Sequence, residues 1–154
     1  MSSPPYPQLK EEEIVRQLAS EIRILEGSVA TLQSRLEVVR SAINEVALAH
    51  ATLEGLTKLQ EGDDTLVPVG AGSYLRMKVA DTKKLIMGIG SGTAMEKDVA
   101  SSLEDLKGRV QELDKARNSI QQQLDQTVSR YDQDREALEQ MLQQQQGRTR
   151  QTAS

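Results

Sequence analysis

A glycine-rich segment, Gly88-Ile-Gly-Ser-Gly92, comes nearest in this sequence to a known binding motif. A dinucleotide fingerprint, G-x-G-x-x-G, requires a third glycine at position 93 and a strand–helix context around it. Position 93 is Thr93, and the sequence has no G-x-x-x-x-G-K-[ST] phosphate loop. The glycines therefore favour turns between strands. The sequence predicts no nucleotide or other cofactor.

The only histidine, His50, could act as a ligand or a base, but it has no second His and no Cys to join it. A polar residue at this point of a helical repeat more often fixes the register of a coiled coil. The acidic residues alternate with Lys and Arg, which is typical of solvated helix faces rather than of paired catalytic carboxylates. The sequence predicts no catalytic residue, no metal site and no enzyme.

The composition disfavours a compact globule. Aromatic residues make up 2% of the 154 residues, with three Tyr and no Trp or Phe, whereas aromatics usually supply much of a core. Leu, Ile and Val recur too regularly for a disordered chain. Long helices remain as the favoured class.

Charge and hydropathy exclude several partners. The net charge of -4 offers no basic excess for phosphates, so nucleic acid is not expected as a partner. No apolar run approaches the ~18 residues of a membrane span. The N-terminus has neither the basic nor the apolar region of a signal peptide. We therefore expect a cytoplasmic protein that is not bound to a membrane.

A heptad repeat predicts a first helix over residues 8–61, after a flexible tail over residues 1–7 that holds three of the four prolines. Apolar residues recur at alternating steps of three and four, as in a coiled-coil seam. The predicted a and d positions are Val15, Leu18, Ile22, Leu25, Val29, Leu32, Leu36, Val39, Ile43, Val46, His50 and Leu53.

A second, weaker repeat predicts a helix over residues 98–146, followed by a flexible tail over residues 147–154. Its seam is interrupted at Arg117, Thr127 and Asp134. The predicted a and d positions are Val99, Leu103, Leu106, Val110, Leu113, Arg117, Ile120, Leu124, Thr127, Tyr131, Asp134, Leu138 and Met141. Two helices of similar length with a short connection favour an antiparallel coiled-coil hairpin. The fold class is therefore mainly α with a small β part.

The connection, residues 62–97, predicts two β-hairpins at the end of the coiled coil. This prediction rests on short segments in which apolar and polar residues alternate, separated by glycine-rich turns. So few residues cannot bury a core alone, and open strand edges invite pairing with other chains. We expect the strands to be shared in an oligomer through Leu66, Val67, Val69, Leu75, Met77, Val79, Leu85, Ile86 and Ile89.

The opposite ends of the two helices carry another apolar group: Leu9, Ile14, Leu18, Leu138, Met141 and Leu142. One interpretation is seam packing that frays at its end. The other is an exposed surface for a loosely specified apolar partner, which flexible Met and Leu side chains suit.

The strand motifs resemble those of alpha-class prefoldin subunits of archaeal type. The resemblance lies in Leu66-Val-Pro-Val-Gly-Ala-Gly-Ser-Tyr74, Asp81-Thr-Lys83 and Ile89-Gly-Ser-Gly-Thr-Ala-Met-Glu-Lys97. It implies that two alpha and four beta subunits join their hairpins into an oligomeric β-barrel from which six coiled coils extend. It also implies that the coiled-coil tips hold non-native proteins without ATP and deliver them to a group II chaperonin.

Two other functions remain open on the sequence alone. A structural or adaptor coiled coil would use the strands only to oligomerise and would bind one folded partner. An enzyme or nucleotide-binding regulator built on the glycine segment would show a rise in melting temperature with its ligand. Weak capture at several tips, by contrast, gives avidity without specificity, as a chaperone for unfolded proteins requires.

Overall fold

The computed structural model describes the backbone of residues 6–152 and the side chains of residues 10–151. In chain order, one long helix precedes four short strands and a second long helix follows them. The elements are α1 (Tyr6–Leu56), β1 (Asp64–Gly70), β2 (Ser73–Lys78), β3 (Lys84–Gly90), β4 (Thr93–Asp98) and α2 (Val99–Thr152). The predicted class, mainly helical with two β-hairpins in the connection, is confirmed.

The helix ends differ from their predicted positions. α1 begins at Tyr6 instead of residue 8 and ends at Leu56 instead of residue 61, while α2 continues to Thr152. Residues 147–152, predicted as a flexible tail, are therefore helical; one internal glycine costs only about 1 kcal/mol, and the flanking Gln and Arg residues are good helix formers. Residues 1–5 and 153–154 of the predicted tails lie outside the described residues.

One compact unit contains residues 6–38 of α1 and residues 117–152 of α2. The helices run antiparallel in it, because Glu11 meets Arg148 and Glu26 meets Tyr131. Its core consists of Leu32, Leu36 and Leu124, with Val29 and Ile120 packed against them. All five lie at predicted seam positions, so within this unit the repeat identifies the residues that pack.

A second compact unit contains residues 39–116, which include the strands. β1 pairs with β2 and β3 pairs with β4, both antiparallel, as two separate two-stranded sheets. Their turns share one geometry: Gly70, Ala71 and Gly72 all have positive φ, as do Gly90, Ser91 and Gly92. The glycine segment that resembled a dinucleotide fingerprint thus forms a hairpin turn.

Neither helix, within the described residues, has a stretch both long and apolar enough to cross a membrane.

A buried hydroxyl in the second unit gives the first prediction. Ser102 is 0% exposed, and its Oγ has no hydrogen-bond partner among the described residues. An unpaired buried hydroxyl costs about 1–3 kcal/mol, so Ser102→Ala is expected to raise the free energy of unfolding by about 1 kcal/mol in urea titrations.

The neighbouring Ser101 provides the control, because its hydroxyl donates to the Asp98 carbonyl at 3.1 Å. Ser101→Ala should leave stability unchanged or lower it slightly. A loss of stability in Ser102→Ala would contradict the account, since it would reveal a partner for the hydroxyl.

Candidate functional site

The first hairpin has two chemically different faces. Directly opposed residues of an antiparallel pair point to the same side, so the pairs Thr65–Met77 and Val67–Leu75 share one face. The other face combines Leu66 with Arg76 and Pro68 with Tyr74. We call the side of Val67, Leu75 and Met77 the apolar face of this hairpin; all three side chains are exposed in the single chain.

The second hairpin shows the same division. Met87 opposes Met95 and Leu85 opposes Lys97 on one face, and Lys97 forms an ion pair with Asp105 of α2. The other face carries Ile86, which is 79% exposed. A side chain this apolar is usually covered, so Ile86 marks surface that another chain could remove from water.

Eight of the nine residues predicted for oligomerisation are exposed or half-buried in the single chain. The exception is Val79, which is 8% exposed. The Val79 N–H donates to the Asp63 carbonyl at 2.9 Å, and its carbonyl accepts from the Gly62 N–H at 2.8 Å. Val79 lies just after the end of β2 and is buried within its own subunit, whereas sequence alternation alone could not distinguish it from Leu75 and Met77.

On the hairpins, sequence reasoning also missed two exposed apolar side chains, Tyr74 and Met95. Tyr74 opposes Pro68, and Met95 opposes Met87. Both could have been found by pairing the predicted strands through their turns, since opposed residues share a face.

The apolar residues predicted at the helix ends fall into two groups. Ile14 and Leu142 are exposed, while Leu18, Leu138 and Met141 are half-buried. The side chain of Leu9 lies outside the described residues. Half-buried and exposed apolar side chains thus coexist at the helix ends.

An ion pair joins the helices near these residues. Arg148 Nη1 donates to both Glu11 carboxylate oxygens, at 2.9 and 3.1 Å. This pair joins α1 to the part of α2 that the sequence predicted as a flexible tail. Ile14 and Leu142 are therefore exposed on helical segments that this ion pair joins.

A charged cluster occupies the interrupted part of the seam. Asp134 is 5% exposed, and the Arg130 Nε lies 3.0 Å from its Oδ1. The Arg130 Nη2 lies 3.5 Å from Glu21 of α1. The hydrogen bond to Asp134, together with the charges of Asp134 and Glu21, raises the pKa of Arg130. The cation compensates a carboxylate where the repeat expects an apolar side chain.

The described residues hold no group of three or more His, Cys, Asp or Glu side chains suited to a metal ion.

A family model described as prefoldin subunit matches residues 25–146. The chain belongs to the prefoldin family. It is 36% identical over 110 residues to prefoldin subunit alpha of Methanopyrus kandleri, covering 71% of this chain and 70% of that one. It is 37% identical to prefoldin subunit alpha 1 of Thermococcus kodakarensis, covering 64% and 67%.

These relatives confirm the resemblance to the archaeal alpha class that the strand motifs indicated. Prefoldins are chaperones, so the chain is a chaperone subunit. A solved chain of filamentous PFD from Methanocaldococcus jannaschii is 24% identical with a TM-score of 0.47, covering 79% of this chain and 94% of that one.

The cluster at Asp134 gives a prediction about the helix pair. Arg130→Gln leaves a nearly buried carboxylate without its cation, so we expect the free energy of unfolding to fall. The measurement is urea unfolding followed by circular dichroism.

Arg135→Gln is the matched control, because Arg135 is exposed on the same helix. It should change the free energy of unfolding by less than about 0.5 kcal/mol. If both substitutions changed the free energy of unfolding equally, the Arg130 cation would not stabilise the Asp134 carboxylate.

Proposed function

We propose that this chain is an alpha-class subunit of a cytoplasmic prefoldin hexamer with two alpha and four beta subunits. The hexamer binds non-native proteins at the ends of its coiled coils, without ATP or another cofactor. It delivers them to a group II chaperonin, and the chain has no enzymatic activity of its own. The observation that carries this proposal is the exposed apolar surface on both hairpins.

The hairpins support the assembly part of the proposal. Val67, Leu75 and Met77 lie on one face of a sheet of only two strands, and an isolated two-stranded hairpin is marginally stable at best. Covering these side chains contributes about 25 cal/mol for each Å² removed from water. Beta-class subunits that add strands to both hairpins would supply that cover and also pair the open edges.

The helix ends support the client-binding part. Ile14 and Leu142 offer exposed apolar surface on a helix pair held by the Glu11–Arg148 ion pair. The half-buried Leu18, Leu138 and Met141 extend this surface toward the seam, and we include Leu9 from the sequence. Each contact is small, so several coiled coils must bind one client together. Weak individual contacts also allow the client to leave for the chaperonin.

The apolar face of the first hairpin gives a prediction about assembly. Met77→Glu places a carboxylate where the neighbouring subunit would exclude water, which is costly without a partner. We expect the apparent affinity for a beta-class subunit to fall at least tenfold in size-exclusion and sedimentation experiments. Arg76→Gln, on the other face of the same strand, should assemble normally. Assembly of Met77→Glu at the wild-type affinity would contradict a strand-based interface.

A second prediction concerns client holding. The double variant Ile14→Gln, Leu142→Gln should form the hexamer but lose most of its ability to suppress aggregation of reduced, unfolded lysozyme. The chaperone concentration that halves light scattering should rise at least fivefold. The effect is large because the contacts at several coiled-coil ends act together on one client.

Ile24→Gln is the control for holding. Ile24 is 67% exposed on α1 but lies away from the helix ends. It should hold lysozyme as the wild type does. Unchanged holding by the double variant would remove the helix ends from the client site. A normal hexamer that never protects unfolded proteins would instead favour the adaptor function.

A further inference from the structure

The two hairpins repeat one backbone design at an interval of 20 residues. Residues 64–78 and residues 84–98 pair in the same register, and in each hairpin the register shifts just before the turn. The next residue, Val79 or Val99, is buried and donates its N–H to the carbonyl of the residue that precedes the hairpin, at 2.9 or 2.8 Å. Each position of the first hairpin therefore has an equivalent in the second, 20 residues later.

One face of each hairpin carries charges that are reversed at every equivalent position. We define the Arg76 face by the strand pairs Asp64–Lys78, Leu66–Arg76 and Pro68–Tyr74. The Glu96 face comprises the equivalent pairs, Lys84–Asp98, Ile86–Glu96 and Gly88–Ala94. The first face has two cations and one carboxylate, a net charge of +1, whereas the second has one cation and two carboxylates, a net charge of -1.

Part of this charge is already paired within each hairpin. Lys78 Nζ lies 3.2 Å from Asp64 Oδ1, and Lys84 Nζ lies 3.3 Å from Glu96 Oε2. Both ion pairs are exposed, so each contributes little to stability. Arg76 forms no ion pair within the described part of the chain. Its guanidinium is therefore the charge on the Arg76 face that another chain could compensate.

The two faces also differ in volume close to their turns. Pro68 and Tyr74 give the Arg76 face a bulky end, and the Tyr74 side chain is 60% exposed. The equivalent residues, Gly88 and Ala94, give the Glu96 face a small one. A Cβ added at Gly88 would meet nothing within 4 Å. Side chains pack best where volume on one surface meets space on the other, so the two faces complement each other in shape as well as in charge.

The two faces do not cover each other within one chain, because Leu66 remains 60% exposed and Ile86 remains 79% exposed. Contacts between like faces are also unfavourable. Two Arg76 faces would bring guanidinium groups and tyrosine rings together, while two Glu96 faces would bring carboxylates together and leave a gap at the glycines. Such penalties against like contacts give specificity to an unlike contact.

We propose that the Arg76 face of one copy of this chain packs on the Glu96 face of a second copy. A two-fold axis repeats the contact, with the second hairpin of the first copy meeting the first hairpin of the second, so the pair is closed. The proposal rests on the proposed function only in that two copies share one assembly. The opposite faces, which include Val67, Leu75 and Met77, remain available to beta-class subunits.

Cysteine crosslinking tests the contact directly, because the chain has no native cysteine. Leu66→Cys and Ile86→Cys are made in separate full-length chains, which keeps Arg76 and Glu96 intact. The two chains are mixed, alone and with the beta-class subunit, and treated with a short bismaleimide. We expect the mixture to give about fivefold more crosslinked pairs than either chain by itself, because only an unlike contact brings positions 66 and 86 together.

The single-variant samples are the control, since they contain the same thiols without the unlike pair. Equal crosslinking in the mixture and in the single-variant samples, both with and without the beta-class subunit, would overturn the proposal. Stronger crosslinking within the single-variant samples would also overturn it, because it would show contacts between like faces.

Charge reversal provides a second test in the same crosslinking assay. Arg76→Glu and Glu96→Arg should each lower the 66–86 yield about fivefold, because each places like charges across the contact. The double variant should recover the yield of the parent chains to within about twofold. Arg76→Gln removes only a weak exposed attraction and adds no repulsion, so it should remain close to the parent.

The double variant also controls for folding, since it contains both substitutions of the single variants. Lys107→Glu, on an exposed position of α2, makes the same change of charge away from the hairpins and should leave the yield unchanged. A double variant that crosslinks as poorly as the single variants would overturn the pairing of Arg76 with Glu96.

These results separate the contact from the proposed hexamer. A complex that contains two copies of the chain but gives no 66–86 crosslink would overturn the contact and leave the hexamer standing. Chains that crosslink through positions 66 and 86 but never bind a beta-class subunit would support the contact and contradict the hexamer.

Discussion

Two small sheets that cannot cover their own apolar side chains impose the main constraint on this chain. Each sheet has two strands, and the side chains of Val67, Leu75, Met77 and Ile86 remain in contact with water. The single chain has no further strand to add within its described residues. In the proposed function, other subunits cover the sheets, and the resulting assembly brings several coiled coils together.

The helices differ from the sheets in this respect, because α1 and α2 bury apolar seam residues against each other within one chain. Leu32, Leu36 and Leu124 form its core, and the interruption at Asp134 is compensated by Arg130. Apolar residues become exposed only at particular places, among them Ile14, Leu142 and Leu48. In the proposed function, exposed isoleucine and leucine at the helix ends hold unfolded segments without enclosing them, which suits capture followed by release.

Much of this architecture could be predicted from the sequence, for physical reasons. Heptad spacing fixes which side chains face a partner helix, so the seam around Leu36 was predictable, and the Gly-x-Gly turns required positive φ at Gly72 and Gly92. The positions of the helix ends could not be predicted in this way, because the ion pair between Glu11 and Arg148 joins residues far apart in sequence. The burial of Val79 likewise depends on backbone bonds to Gly62 and Asp63, which strand alternation cannot reveal.

The measurement that tests the account most directly is the native mass of this chain isolated under gentle conditions from the cells that make it. The account predicts a hexamer containing two copies of this chain and four copies of a smaller coiled-coil subunit. A monomer or a simple dimer would contradict it, because the hairpins would then keep their apolar side chains in water without a partner.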